Sequence, residues 1–141
     1  VLYEYGLADG IYKETYSSIF GSKHGWMRKK PKYCTLEQVL NVAKKARGVV
    51  VFAHPSVYNS MECVRELVQH GLIDGLEINH PRNTEENKAE LYKLALDNNL
   101  IITGGTDFHG INTTRLNPLG TCLTEANQID RIEALAKSRK K

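Results

Sequence analysis

Two histidines, His54 and His80, and an Asp107-Phe108-His109 triplet are the residues of this chain best suited to chemistry, because each falls just after a short apolar stretch. His54 follows Val49-Val50-Val51-Phe52-Ala53, and His80 follows Gly75-Leu76-Glu77-Ile78-Asn79. Asp107 and His109 follow Leu100-Ile101-Ile102-Thr103 and a Gly104-Gly105 turn. Neutral imidazoles and an ionised carboxylate suit zinc, manganese or iron, and clusters of such groups can hold two ions that activate water and bind a phosphoryl oxygen. Each histidine also has a plainer use, since an imidazole before Pro55 or Pro81 can simply hydrogen-bond its own loop. The triplet is harder to read that way, because one Gly-flanked loop projects two ligand-type side chains.

The elements that position these residues alternate between two periods. Thr35 with Gln38 three residues on reads as a capping box, and Leu36, Val39, Leu40 and Ala43 recur at helical spacing, which predicts a helix to about Ala46. Gly48 stops it. Val49–Ala53 is then short, β-branched and continuously apolar, as expected of a parallel strand buried on both faces. Ser60 is placed to cap a second helix with Met61, Val64, Leu67 and Val68 on one stripe and Gly71 at its end. Gly75–Asn79 is the next strand, Thr84 caps a third helix with Leu91, Leu94 and Ala95 inward, and Leu100–Thr103 is a third strand. A weaker strand is expected over Gly120–Leu123. A final helix from about Asn127 would place Ile129, Ile132, Leu135 and Ala136 inward.

Strands alternating with helices through short connections predict an α/β fold with a parallel sheet. In such folds the residues just beyond the C-terminal strand ends share one crevice. His54, His80, Asp107 and His109 would meet there.

Composition sets the frame around this site. The 141 residues are 41% hydrophobic and 25% charged, a balance for one compact domain rather than long disorder. The longest apolar run is far too short to cross a bilayer, so no membrane partner is expected. The chain opens on Val1 with no secretory signal pattern and is expected to begin within a longer protein. Cys34, Cys63 and Cys122 are widely spaced, which suits a reduced cytoplasmic protein. The formal charge of +3 is concentrated in Lys23, Arg28, Lys29, Lys30 and Lys32, and again in Lys137, Arg139, Lys140 and Lys141. The second group reads as a solvated helix end; the first, with Trp26 and Tyr33 among it, suits either a solvated surface or contact with phosphate and stacked bases.

The segments Val51-Phe52-Ala53-His54-Pro55, Gly75-Leu76-Glu77-Ile78-Asn79-His80-Pro81 and Gly104-Gly105-Thr106-Asp107-Phe108-His109-Gly110 resemble, in order and spacing, the later motifs of the polymerase and histidinol phosphatase (PHP) family. Within it they look most like the bacterial branch that hydrolyses nucleoside 3′,5′-bisphosphates and trims short RNA from the 5′ end. The resemblance covers roughly Lys29 to Thr124. It implies a distorted seven-stranded β/α barrel with a cluster of divalent metals, manganese, zinc or iron. By the family pattern His54, Asp107 and His109 would be metal ligands, and His80 would bind substrate phosphate or shape its loop. Glu77 would orient a neighbour or the final helix. Apart from the resemblance, Arg115 in the loop beyond carries a guanidinium fork that suits a substrate phosphate, the plainer use of a surface arginine in a long loop being solvation.

The family's opening Asp-x-His-x-His strand and further His and Glu ligands do not occur here. The resemblance therefore implies a C-terminal part of the barrel, with residues 34–141 in it and residues 1–33 in a helical insertion or cap. The missing N-terminal half would be a partner, and uncovered strand edges would favour a homodimer. The implied reaction of the whole protein is metal-assisted hydrolysis of phosphorylated nucleotides or short oligonucleotides, with the isolated chain inactive. The alternative is a non-catalytic PHP-like module that binds nucleotide or nucleic acid, or mediates interaction.

Overall fold

The computed structural model describes residues 1–21, 23–111, 113 and 115–140. They form two compact units, Val1–Cys34 with His109–Leu116, and Thr35–Phe108 with Asn117–Lys141.

In the first unit α1 spans Glu14–Phe20, its first turn held by Asp9, whose carboxylate accepts the N–H groups of Glu14 and Thr15 at 3.2 and 3.1 Å. Tyr12 meets Tyr16 edge-on at 4.9 Å, and Tyr16 lies 5.6 Å from Phe20. Trp26 and Tyr33, within the first basic group, are 74% and 84% exposed.

The second unit is α/β. Helix α2 (Leu36–Lys45) opens with the predicted reciprocal box, Thr35 Oγ1 accepting Gln38 N–H at 3.2 Å while Gln38 Oε1 accepts Thr35 N–H at 2.9 Å. Strand β1 (Val51–Phe52) follows, then a 3-10 turn (Pro55–Tyr58), α3 (Met61–Gln69), β2 (Gly75–Asn79), α4 (Glu85–Asp97), β3 (Ile101–Gly104) and α5 (Ala126–Arg139). The strands form a parallel sheet in the order β1-β2-β3. Val51 pairs with Gly75 and Gly75 with Ile101, so all three strands start level and point the same way.

The core lies where α3 and α4 cover the central strand. Leu76 and Ile78, two apart and hence on one face of β2, are fully buried with Val64 and Leu91, and Met61, Leu67, Val68, Ile73 and Ala95 complete the cluster. The predicted stripe of α3 is thus the buried one. Thr84 Oγ1 accepts Asn87 N–H at 3.2 Å and caps α4, whereas Ser60 occupies the cap position of α3 without a side-chain hydrogen bond.

Three expectations need correction. The strand expected over Val49–Ala53 is paired only at Val51 and Phe52 and is half-buried, because β1 lies at the edge of the sheet with a neighbour on one side. The weak strand expected over Gly120–Leu123 is a turn and bend. Its place beside β3 is taken by side chains: Thr124 Oγ1 accepts Gly104 N–H and Gln128 Oε1 accepts Ile102 N–H, both at 2.9 Å, so the alternate outward N–H groups of the edge are already satisfied. Ile129, expected inward, is 47% exposed, while Ile132, Leu135 and Ala136 are half-buried. Among the described residues the sheet has three strands, not a closed seven-stranded barrel.

Helix α5 ties the N-terminal ends of the strands. Arg131 donates to Leu100 O at 3.0 Å and to Asn99 O at 2.7 Å, and Arg139 reaches Gly48 O and the carboxylate of Asp74. Lys141, the last of the second basic group, lies outside the described residues. Cys34, Cys63 and Cys122 are free thiols. Among the described residues no helix is long and apolar enough to cross a membrane.

Candidate functional site

The C-terminal ends of β1, β2 and β3 carry His54, His80 and Asp107 in the second unit, as the strand pattern predicts. His54 is the residue before the 3-10 turn and has φ 29° and ψ 66°. Asp107 has φ 53°. Positive φ costs a residue with a Cβ, and the cost is sustained only where surrounding contacts fix the backbone. For His54 the contact is Glu77, whose Oε2 accepts the His54 N–H at 2.9 Å from mid-strand β2. Of the two roles expected for Glu77, orienting a neighbour or orienting the final helix, this bond corresponds to the first.

The loop after β2 is built around Asn83, 4% exposed. Its amide nitrogen donates to Glu77 O at 3.0 Å and Ile78 O at 2.9 Å, and its oxygen accepts Ser56 N–H at 3.2 Å. Asn87 adds a 2.9 Å bond to Ser56 Oγ. These bonds lock the turn after His54 to the turn after His80.

His80 is fully buried, and its ring lies 5.0 Å from that of His54. Nδ1 accepts the backbone N–H of Arg82 at 3.1 Å, so the plainer use of this histidine, bonding its own loop, holds for one nitrogen. Burial keeps the imidazole below its ordinary pKa; the charges of Glu77 and Asp107 pull upward and those of His54 and Arg82 add to the lowering. A neutral ring with Nδ1 as acceptor carries its proton on Nε2. Nε2 is buried without a hydrogen-bond partner, as are His54 Nδ1 and Arg82 Nε. Arg82 Nη2 stands 3.6 Å from Asp107 Oδ2.

His109 and Arg115 belong to the first unit, and both are exposed. The backbone carbonyl of Arg115 accepts a 2.6 Å bond from Thr113 Oγ1. Among the described residues no three His, Cys, Asp or Glu side chains are grouped so as to hold a metal ion by themselves. The donor types nonetheless suit a divalent ion: His54 has a buried nitrogen without a protein partner and Asp107 a carboxylate at the same strand ends. Sequence reasoning missed Arg82 and Asn83. The signal for Arg82 was its place two residues after His80, close enough for its N–H to reach Nδ1.

No protein-family model matches the chain. Over 99 residues it is 32% identical to phosphoribosyl 1,2-cyclic phosphate 1,2-diphosphodiesterase of Eggerthella lenta, a match covering 70% of this chain and 37% of that protein. Over 83 residues it is 32% identical to the 5′-3′ exoribonuclease Rnm of Escherichia coli, covering 56% and 28%. The crystal structure of a protein described as a metal-dependent phosphoesterase, from Bifidobacterium adolescentis, superposes with a TM-score of 0.71 at 27% identity, over 95% of this chain and 47% of that one. The matches thus span about a third of the two curated relatives and just under half of the crystallised protein.

Proposed function

We propose, on the premise that these relatives and the structural neighbour fit a PHP-family phosphoesterase, that the chain forms one wall of a metal-dependent site hydrolysing phosphate esters of nucleotides or short oligonucleotides. The observation that carries the reading is the pair of buried, unpartnered nitrogens, His54 Nδ1 and His80 Nε2, at strand ends that also present Asp107. Such groups are costly unless a ligand completes them.

On this reading His54 and Asp107 hold a divalent ion, with manganese, zinc and iron all suited to the donor set. Bound there, the ion supplies Lewis acidity and activates water. His80, neutral and proton-bearing at Nε2, donates to a phosphoryl oxygen. Glu77 keeps His54 in place through its backbone N–H. The remaining ligands come from outside these 141 residues, from the part of the barrel that also covers Leu36, Val39 and Val42 of α2, which are 47%, 52% and 65% exposed. Metal affinity depends on ligand count and a preformed site, so the isolated chain turns over little or no substrate.

The test compares the full-length protein with the 141-residue chain on adenosine 3′,5′-bisphosphate and on a 5′-phosphorylated short RNA, with manganese and then with chelator. Hydrolysis by the full-length protein that chelator removes and Asp107→Ala abolishes is expected. Undiminished hydrolysis in chelator overturns the reading, and robust turnover by the 141-residue chain overturns the claim that outside ligands are required.

A second reading, a non-catalytic nucleic-acid-binding module, is favoured by the exposure of Trp26 and Tyr33 among Lys and Arg residues. It requires RNA binding that survives metal removal in a full-length protein that hydrolyses neither substrate.

A further inference from the structure

Two of the buried nitrogens at the strand ends can only donate. Arg82 Nε always carries a hydrogen, and His80 Nε2 carries the ring proton because Nδ1 is occupied by the Arg82 N–H at 3.1 Å. Neither atom has a hydrogen-bond partner. The guanidinium contacts Asp107 at 3.6 Å, beyond hydrogen-bond reach, so that ion pair leaves the donors of Arg82 largely unspent. The Arg82 side chain is 34% exposed, while its Nε and His80 Nε2 are buried, so the guanidinium end is the part of the pair that meets solvent. Two N–H donors with no lone pair to offer, on residues two apart and tied together by the Arg82 N–H, cannot ligate a metal; they match an anion with several acceptor oxygens.

We propose that Arg82 and His80 are one phosphate-recognition unit, in which the backbone N–H of Arg82 fixes His80 as an Nε2–H donor while the guanidinium takes the oxygens of the same phosphoryl group. This rests on the phosphoesterase reading and names the residues that hold the substrate's phosphate. Arg82 therefore acts twice, through its backbone on the tautomer and through its side chain on the ligand, and the two actions are separable because Arg82→Ala removes only the second. The ion pair with Asp107 places the phosphate beside the carboxylate assigned to the metal.

The experiment uses the ¹⁵N-labelled full-length protein, freed of metal by chelator, with inorganic phosphate as the probe. Imidazole ¹⁵N shifts should show the His80 proton on Nε2, and phosphate should perturb that signal. Arg82→Ala should keep the tautomer yet weaken phosphate binding about tenfold or more. His80→Asn should weaken it similarly. His80→Gln, whose amide nitrogen reaches toward the place of Nε2, should stay within about threefold of the native protein. Arg82→Lys, which keeps charge and fold but loses the fork, should fall between native and Arg82→Ala. A His80 proton on Nδ1, or native phosphate affinity in Arg82→Ala, overturns the proposal. Failure of the broader reading looks different: no metal-dependent hydrolysis by the full-length protein, with phosphate binding still lost in these variants. An adventitious ion only, bound equally by native protein, Arg82→Ala and His80→Asn, also overturns it.

Discussion

Glu77 Oε2 accepts the backbone N–H of His54 at 2.9 Å, and this one bond joins the middle strand of the sheet to the left-handed residue that ends its neighbour. The other carboxylate oxygen faces the loop after β3, where a Cβ on residue 105 would come within 2.8 Å of Oε1. A single side chain on β2 thus touches the loop leading to each flanking candidate ligand, His54 on one side and Asp107 on the other.

Removing that carboxylate should cost stability as well as order. Glu77→Ala leaves the His54 N–H unsatisfied in a half-buried place and is expected to destabilise the chain by about 1–3 kcal/mol. Glu77→Gln retains an acceptor oxygen and should lose about 1 kcal/mol or less. Urea unfolding of the three proteins gives both numbers, and equal losses in Ala and Gln would show that the bond to His54 is not what Glu77 contributes.

Gly105 should be coupled to the same carboxylate. A methyl group there meets Glu77 Oε1, so Gly105→Ala is expected to cost about 1–2 kcal/mol in the native background. With Glu77→Ala already present the obstruction is gone, and the cost should fall by at least about 0.5 kcal/mol. A double-mutant cycle measured by the same unfolding experiment checks this, and additive losses would place the conflict elsewhere.

The centre of the sheet was legible in the sequence because burial there is decided locally. Leu76 and Ile78 alternate, Val64, Leu67 and Val68 recur at helical spacing, and the two patterns need each other as cover. The strand ends were legible for the same reason, since a polar ligand-type residue directly after an apolar strand has one place to go. What could not be read was the identity of the cover. The apolar face of α2 was evident, yet Leu36, Val39 and Val42 are exposed, because periodicity specifies a face and not its partner. Gly120–Leu123 looked like a weak strand, but the β3 edge had already been closed by Thr124 and Gln128, residues with no strand signature. Arg82 escaped notice because its role depends on a backbone N–H meeting a ring nitrogen, a geometry that side-chain type does not encode.

Arg139 should matter far more than its charged neighbours at the end of α5. Its guanidinium pairs with Asp74 at 2.5 and 2.9 Å and bonds Gly48 O, and Asp74 in turn accepts Val50 N–H at 2.7 Å, so one carboxylate holds the start of β1 and the end of α5. The side chain of Asp74 is only 16% exposed. Arg139→Ala strands that charge and is expected to cost about 2–3 kcal/mol. Lys137→Ala, which breaks a pair with Glu133 that is 75% and 61% exposed, should change stability by less than about 0.5 kcal/mol. Thermal or urea unfolding of the two variants side by side makes the comparison, and equal small effects would reduce the Asp74 pair to an ordinary surface contact.

The acid side of the stability profile should carry the mark of Glu90. Hydrogen bonding and charge from Arg65, which donates to the two carboxylate oxygens at 2.5 and 3.1 Å, hold the Glu90 carboxyl below its ordinary value. In the unfolded chain that partner is lost and the carboxyl binds its proton more readily, so below the ordinary value of 4.5 the unfolded state takes up more protons than the folded one. The pair's contribution is therefore complete above that pH and is lost as pH falls through the lowered folded value. Arg65→Ala abolishes the difference between the two states, so its unfolding free energy should decline less steeply from pH 5 to pH 3 than that of the native chain. Both sequences must be compared at fixed low ionic strength, since salt screens a pair this exposed. Parallel pH profiles for native and Arg65→Ala would show that Glu90 titrates alike in the folded and unfolded chain.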